Sequence, residues 1–156
     1  MDGSQDMAAQ RKVWLGLLAR APQGMLAGLC EQAGLDWAGL DPAYDWLRQP
    51  EVGTVMLRGR TGGTGAPFNL GEITVTRASV RLGLGSVGHG HVQGRDKAAA
   101  RWAAIVDAPM QTDRAGSIQR DVLDPITARL SEKATTRAAK AAATKVEFFT
   151  LVRGED

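Results

Sequence analysis

Residues 92–108 read VQGRDKAAARWAAIVDA, and within them the chain changes from strand to helix. Up to Gly94 the sequence has the two-residue alternation of a strand. Beyond it, apolar side chains recur at helical spacing on one face, and these are Ala98, Trp102, Ile105 and Val106. Asp96 is placed to cap the helix, and Pro109 should end or kink it near Ala108. The segment therefore predicts a strand followed by a helix.

Three β-rich segments precede this helix. They are VGTVMLRG (52–59), EITVTRASVRLG (72–83) and SVGHGHVQG (86–94), separated by the turn-rich RTGGTGAPFNLG (60–71) and by a glycine turn. Parallel strands need long crossover connections, and these connections are too short. We expect an antiparallel meander of about three strands over residues 51–94, and an α+β fold.

The rest of the chain is predicted to be mainly helical. Two short helices should end before Pro22 and at Gly34, with Met7, Trp14 and Leu18 on the apolar face of the first. We interpret LDPAYDWLRQP (40–50) as a loop with one helical turn. Asp124 and Pro125 suit the N-cap and first turn of a long alanine-rich helix, and a final strand should cover residues 146–153.

Composition indicates one domain that acts in the cytoplasm. The chain has 156 residues, of which 44% are hydrophobic, enough for a core without disulfides. We divide it into a helical part (1–50), the meander (51–94), helices (96–145) and the final strand. Cys30 is the single cysteine, which excludes an internal disulfide or a multi-cysteine metal or iron–sulfur site and predicts a buried, inert thiol. No segment resembles a signal peptide or a membrane span.

Positive charge is concentrated in the second half of the chain. Residues 1–76 contain 6 Lys and Arg against 8 Asp and Glu, whereas residues 77–156 contain 13 against 9. An anion is therefore expected to bind the second half. A net charge of +2 does not by itself indicate a nucleic-acid binder.

Two glycine motifs resemble nucleotide-binding or nucleic-acid-binding loops but lack the required context. GLGSVG (83–88) matches the dinucleotide fingerprint, yet a strand rather than a helix follows it, so we interpret it as a hairpin turn. GGTG (62–65) has the spacing of a KH loop without the flanking helices, and no Walker lysine follows. A loop that exposes its backbone to a ligand or partner is the expectation for Gly62, Gly63, Thr64 and Gly65.

Two pairs of side chains share strand faces. His89 and His91 point to the same side and could contribute to a metal site, but no third ligand is evident, and we expect no metal site in this chain. Arg77 and Arg81 also share a face, roughly 13 Å apart. They could hold two anionic groups or pair with acidic residues on a solvated surface.

Arg95 and Lys97 place positive charge where a helix begins, an end that already favours anions. This arrangement suits a bound phosphate or an acidic partner, although an ordinary charged helix start explains it equally well. No catalytic triad, catalytic cysteine context or close carboxylate pair stands out, and we expect no catalytic residue in this chain.

Three segments together resemble the PhnG family of the bacterial carbon–phosphorus lyase system. They are RTGGTGAPFNLGEITVTRASVRL, VGHGHVQGRDKAAARWAAIVDA and KVEFFTLVRGED. The resemblance is close over residues 51–108 and good in the C-terminal tail, whereas Pro109 and His91 depart from the family pattern. It implies a subunit of a core complex with PhnH, PhnI and PhnJ.

The resemblance also implies a reaction and its cofactors. PhnI, helped by PhnG, PhnH and PhnL, displaces adenine from ATP with an alkylphosphonate to give α-D-ribose 1-methylphosphonate 5-triphosphate. PhnJ then cleaves the carbon–phosphorus bond with S-adenosylmethionine and an iron–sulfur cluster, so no cofactor is expected in this chain. A second copy of the chain is an expected partner, whereas nucleic acid and membrane are not.

The residues that match the family pattern are Gly62, Gly63, Thr64, Gly65, Thr76, Arg77, Arg81, Gln93, Gly94, Arg95, Asp96 and Lys97. All of them except Thr76 are candidates for binding substrate or a partner. The alternatives are an independent enzyme or binding module for a phosphorylated small molecule, with the glycine loop and Arg95 and Lys97 as its anion site, and a nucleic-acid binder.

Overall fold

A computed structural model describes residues 3–35, 44–83 and 85–144 and has an α+β architecture. Three antiparallel strands form one sheet in the order β1 (Asp45–Arg60), β2 (Pro67–Arg81) and β3 (Val87–Gln93). The helices are α1 (Gly3–Arg20), α2 (Met25–Gln32), α3 (Lys97–Asp107), α4 (Ala115–Ile118) and α5 (Asp124–Ala143). The predicted meander and the two N-terminal helices are confirmed.

Two strand boundaries were predicted wrongly. β1 begins at Asp45, so the second half of the expected loop over residues 40–50 is strand. Pro50 is tolerated because β1 lies at the sheet edge and its register with β2 shifts between Arg48 and Glu51, where the missing N–H disturbs no ladder. β2 begins at Pro67, and only Thr61–Gly63 of the expected turn region forms a short 3₁₀ turn.

The core lies between one face of the sheet and α3. A continuous buried segment runs from Trp102 in α3 to Met110 in the turn that follows it. The first turn of α3 differs from the prediction, because Ala98 is exposed and burial begins with Ala100. The three-residue 3₁₀ turn Pro109–Gln111 follows, which confirms that the α-helix ends before Pro109.

Glycines of β3 allow the strand backbone to touch the helix backbone. A side chain at Gly90 would place its Cβ 1.8 Å from the carbonyl oxygen of Ala100, and one at Gly88 would lie 2.0 Å from that of Ala104. Both distances are far below van der Waals contact, so no other residue fits in this arrangement. Alternation in GHGH therefore places the glycines on α3 and the histidines on the open face of the sheet.

A buried carboxylate joins α1 to this core. Asp107 is completely buried and accepts hydrogen bonds from Arg11 Nη2 at 2.6 Å, Trp14 Nε1 at 2.7 Å and the His89 backbone N–H at 2.8 Å. Arg11 Nη2 also donates to the Val87 carbonyl at 2.8 Å. A buried charge is stable only when it is paired and hydrogen-bonded, and this one is. Met7, by contrast, is 47% exposed, so its prediction on the buried face of α1 is wrong.

The C-terminal helix leaves the core after its second turn. Ile126 is buried and Leu130 half-buried, whereas every residue from 131 to 144 is exposed. The long alanine-rich helix is confirmed, but the N-cap prediction for Asp124 is wrong. Asp124 has helical φ and ψ and continues a π-helical turn, Gln119–Leu123, which leads from α4 into Pro125. The predicted strand at residues 146–153 lies outside the described residues.

Candidate functional site

The start of α3 is held in place by side chains on both sides of Gly94. Asp96 caps the helix, since its Oδ1 accepts from the Ala99 N–H at 2.8 Å. Gly94 has φ of +91°, a left-handed conformation that favours glycine, and its N–H donates to the Thr74 carbonyl at 2.9 Å. The buried Thr76 hydroxyl donates to the Gly94 carbonyl at 2.7 Å. The capping prediction for Asp96 is confirmed, and the Thr76 hydroxyl positions the backbone at Gly94.

Arg95 and Lys97 border an open cleft between the start of α3 and the end of α1. The cleft has a volume of about 600 Å³ and is lined by Leu18, Ala19, Ala21, Gln23, Val92, Gln93, Arg95, Asp96, Lys97 and Ala99. Lys97 also borders a smaller cleft of about 450 Å³ with Pro50 and Trp102. The two cations are exposed beside the free N–H groups of a helix start, an arrangement that binds anions.

The open face of the sheet carries a separate group of charged residues. Arg77 Nε lies 2.9 Å from Glu51 Oε1, and Arg48 pairs with the same carboxylate. Hydrogen bonds from Arg77 and then from Arg48 hold the pKa of Glu51 below its usual value. Of the two interpretations of the arginine pair, pairing with an acidic residue therefore holds for Arg77. Arg81 is exposed on the same face.

The two histidines are exposed on this same face. His89 Nδ1 is hydrogen-bonded to Ser79 Oγ at 2.9 Å, and His91 stands opposite Arg77 in the ladder. Over residues 3–35, 44–83 and 85–144, no three His, Cys, Asp or Glu side chains are grouped closely enough to hold a metal ion.

The glycine loop lies at the far end of the β1–β2 hairpin. Gly62 and Gly63 have φ of +60° and +82°, and β2 runs from Pro67 to Thr74 before it reaches the hydrogen bond with Gly94. These eight strand residues, with a rise of about 3.3 Å from one to the next, span roughly 23 Å. The structure therefore does not bring the glycine loop together with Arg95 and Lys97 within one copy of the chain.

Comparison with known proteins identifies the family. The sequence profile described as "Phosphonate metabolism protein PhnG" matches residues 9–154. The chain is 47% identical over 150 residues to a curated protein of Rhizobium meliloti (strain 1021). That alignment covers 95% of this chain and 92% of the relative, which is named "Alpha-D-ribose 1-methylphosphonate 5-triphosphate synthase subunit PhnG". The chain belongs to the PhnG family.

The match extends the PhnG resemblance beyond the central region. It includes α1, α2 and α5, which lie outside the three segments that carry the resemblance. None of the described helices of this PhnG-family chain has the length and apolar character needed to cross a membrane.

Sequence reasoning missed a row of cations on α5. Arg129, Lys133, Arg137 and Lys140 are spaced by four, four and three residues, so they lie along one face of the helix and border an open cleft of about 570 Å³ beside Pro22. Arg129 is paired with Glu132 at 2.5 Å. The helical spacing was visible in the sequence and could have identified this surface of the PhnG-family chain.

The sequence did not predict the Arg11–Asp107 pair. Its partners are separated by 96 residues, and no local pattern signals such a contact.

The buried thiol of Cys30, in contrast, was predicted correctly. The residue is fully buried, and burial raises the pKa of its thiol to about 12, so the nucleophilic thiolate is scarce at neutral pH in this PhnG-family chain.

Proposed function

We propose that this chain is a subunit of an α-D-ribose 1-methylphosphonate 5-triphosphate synthase complex in phosphonate catabolism. In that reaction an alkylphosphonate displaces adenine from the ribose C1 of ATP. The observation that carries the proposal is the 47% identity to a named subunit of such a synthase across 95% of the chain. We further propose that the chain acts in the cytoplasm, a reducing compartment that suits a lone cysteine.

We infer that the chain supports this reaction without supplying its acid or base. Asp96, the carboxylate at the candidate site, is engaged as a helix cap, and its neighbours Arg95 and Lys97 are poor proton carriers at neutral pH. Cations beside free helix N–H groups suit the triphosphate of ATP or the acidic side chains of PhnI. Residues 94–97 therefore form an interface or the lip of a substrate channel.

The proposed partners are PhnI, PhnJ, PhnH and PhnL, with a second copy of the chain. ATP is the substrate of the assembled complex, and S-adenosylmethionine and the iron–sulfur cluster belong to PhnJ. The exposed part of α5 supports an extended assembly, because a helix exposed on all sides from residue 131 to 144 gains no stability from tertiary packing. We call this exposed part of α5 together with residues 145–156 the arm, and we propose that it packs on a partner.

The proposal is tested by comparing the isolated chain with the complex. The chain alone should release no adenine from ATP and methylphosphonate, whereas the complex recovered with the tagged chain from a phosphate-starved host should do so. Mass spectrometry of the recovered material identifies its partners. Turnover by the chain alone would contradict the proposal, and so would recovery of the tagged chain without any other subunit.

Substitutions at the start of α3 test the role of the lip. Arg95→Ala combined with Lys97→Ala should raise KM or lower the yield of complex, since both cations face a bound anion or acidic partner. Asp96→Asn should be mild, because Asn caps helices as well as Asp. If Asp96→Asn abolished kcat in a fully assembled complex with unchanged substrate affinity, Asp96 would be an acid or base and the lip interpretation would be wrong.

A second function, an independent enzyme or binding module for a phosphorylated small molecule, is favoured by one observation. The 600 Å³ cleft beside Arg95 and Lys97 is large enough for such a ligand. The distant glycine loop does not contribute to it. Calorimetric titration of the isolated chain with ATP distinguishes the two functions, because tight binding without partners supports the module and its absence supports the subunit.

A further inference from the structure

The β1–β2 hairpin extends well beyond the rest of the sheet. β3 pairs only with the stretch of β2 from Val75 to Arg81, so residues 54–74 form a two-stranded ribbon, which we call the outer ribbon. No residue of the outer ribbon is buried. An isolated two-stranded hairpin is marginally stable at best in water, and a third strand or a packed surface is needed to hold it.

Large apolar side chains are concentrated on the outer ribbon. Met56 is 51% exposed, Leu57 40%, Phe68 43% and Leu70 61%. Phe68 and Leu70 stand together over Gly59, because a Cβ at Gly59 would lie 3.6 Å from the Phe68 ring and 3.9 Å from Leu70 Cβ. Clustered exposed apolar side chains of this kind mark a protein-binding surface.

The charges of the outer ribbon indicate which kind of partner binds this surface. Residues 54–74 carry Arg58 and Arg60 against one carboxylate, Glu72, which gives the outer ribbon a net charge of +1. Arg60 helps to close the tip by donating to the Gly65 carbonyl at 3.1 Å, whereas Arg58 is exposed on the strand. A two-fold contact between the ribbons of two copies would bring together two surfaces of the same net charge, which is unfavourable. The complementary surface is apolar at its centre and acidic at its rim.

We propose that the outer ribbon docks into an apolar groove, edged by carboxylates, on a different subunit of the synthase complex. The tight tip at Gly62 and Gly63, which has no side chains, allows the ribbon to enter a narrow groove. The inference rests on the proposed function, since it presumes a complex. It adds which element of the chain makes the contact and what chemistry the receiving surface has.

The test is recovery of other subunits with the tagged full-length chain. Phe68→Ser combined with Leu70→Ser should weaken assembly by about 30-fold, the effect of losing a binding hot spot. Met7→Ser combined with Val13→Ser is the matched control, because these α1 side chains are 47% and 65% exposed and lie away from the ribbon. The control should recover the subunits as the unaltered chain does, and circular dichroism should show both variants folded.

A charge substitution and hydrogen exchange give independent readouts. Arg58→Glu should lower recovery, and Arg58→Lys should restore most of it because the charge is retained. In the isolated chain the amides of residues 54–60 and 67–74 should exchange faster than those of residues 75–81, which are paired on both sides. In the complex the ribbon amides should become protected.

The outcomes separate this inference from the proposed function. If the unaltered chain recovers other subunits and the Phe68/Leu70 variant recovers them equally well, the docking role is wrong while the proposed function stands. Ribbon amides that exchange equally fast in the complex would overturn it too. A homodimer that the Phe68/Leu70 variant abolishes would show that a second copy occupies the ribbon. If the unaltered chain recovers no other subunit, the proposed function and this inference fail together.

Discussion

Replacing Gly90 with alanine should test the closest contact in the fold. The added Cβ would lie 1.8 Å from the Ala100 carbonyl oxygen, 2.8 Å from the carbonyl carbon and 2.9 Å from the Ala104 nitrogen. All three are backbone atoms of α3, so no side chain can rotate away to relieve the overlap. Ordinary contact begins at 3.4 Å, and α3 must therefore move from the sheet by about 1.6 Å.

That displacement should be costly because every residue of α3 from Trp102 to Asp107 is buried in the core. Inserting one methyl group into a well-packed core usually costs about 1–3 kcal/mol, and rigid backbone opposite the insertion places Gly90→Ala at about 3 kcal/mol or above. For a chain of this size, 3 kcal/mol lowers Tm by roughly 6–12 °C. This expected loss of stability is large for a substitution that adds a single carbon atom.

Thermal and urea unfolding followed by circular dichroism measure this effect. Gly28→Ala is the control, because it lies within α2 and a Cβ there would have no atom within 4 Å. Alanine in an open helix position should stabilise the protein by about 0.5–1 kcal/mol. A Gly90→Ala variant that melts within about 2 °C of the unaltered chain would refute the close contact between β3 and α3.

Four further perturbations have defined outcomes. Asp107→Asn should lower the free energy of unfolding in urea by about 3 kcal/mol, since the 27%-exposed Arg11 loses its buried carboxylate partner. The control substitution Asp113→Asn, at an exposed position, should change little. A loss below about 1 kcal/mol in the Asp107→Asn variant would contradict the structural role of the pair. Because burial raises the pKa of Cys30 to about 12 from 9.0, the folded thiol should react with a disulfide reagent at pH 8 at least about 1000-fold more slowly than the unfolded chain. This rise in the pKa of Cys30 leaves the free energy of unfolding unchanged below about pH 9 and lowers it as the pH rises toward 12, because the unfolded chain then releases a proton that the folded chain keeps. A urea midpoint that is unchanged at pH 10.5 would contradict this prediction. Deleting residues 145–156 should abolish recovery of PhnI with the tagged chain if they belong to the docking arm, and undiminished recovery would rule that arm out.

Local patterns predicted the parts of this fold that depend on neighbouring residues. The alternation in β2 and β3, the cap at Asp96 and the end of α3 before Pro109 each follow from residues within one turn or one strand. β1 was misplaced because residues 45–50 have the composition of a loop, yet pairing with β2 and a register shift accommodate them as an edge strand. Pairing with a distant strand can override local preference.

The candidate functional site likewise has some features that local sequence predicts and others that depend on distant contacts. Residue types and their spacing were enough to predict the family, the cationic start of α3 and the alanine-rich character of α5. Three relations became visible only in the folded chain: the glycine loop lies far from Arg95 and Lys97, Glu51 pairs with Arg77, and Asp107 is the buried partner of Arg11. Those relations depend on strand register and on contacts between residues distant in the chain, which no local pattern encodes.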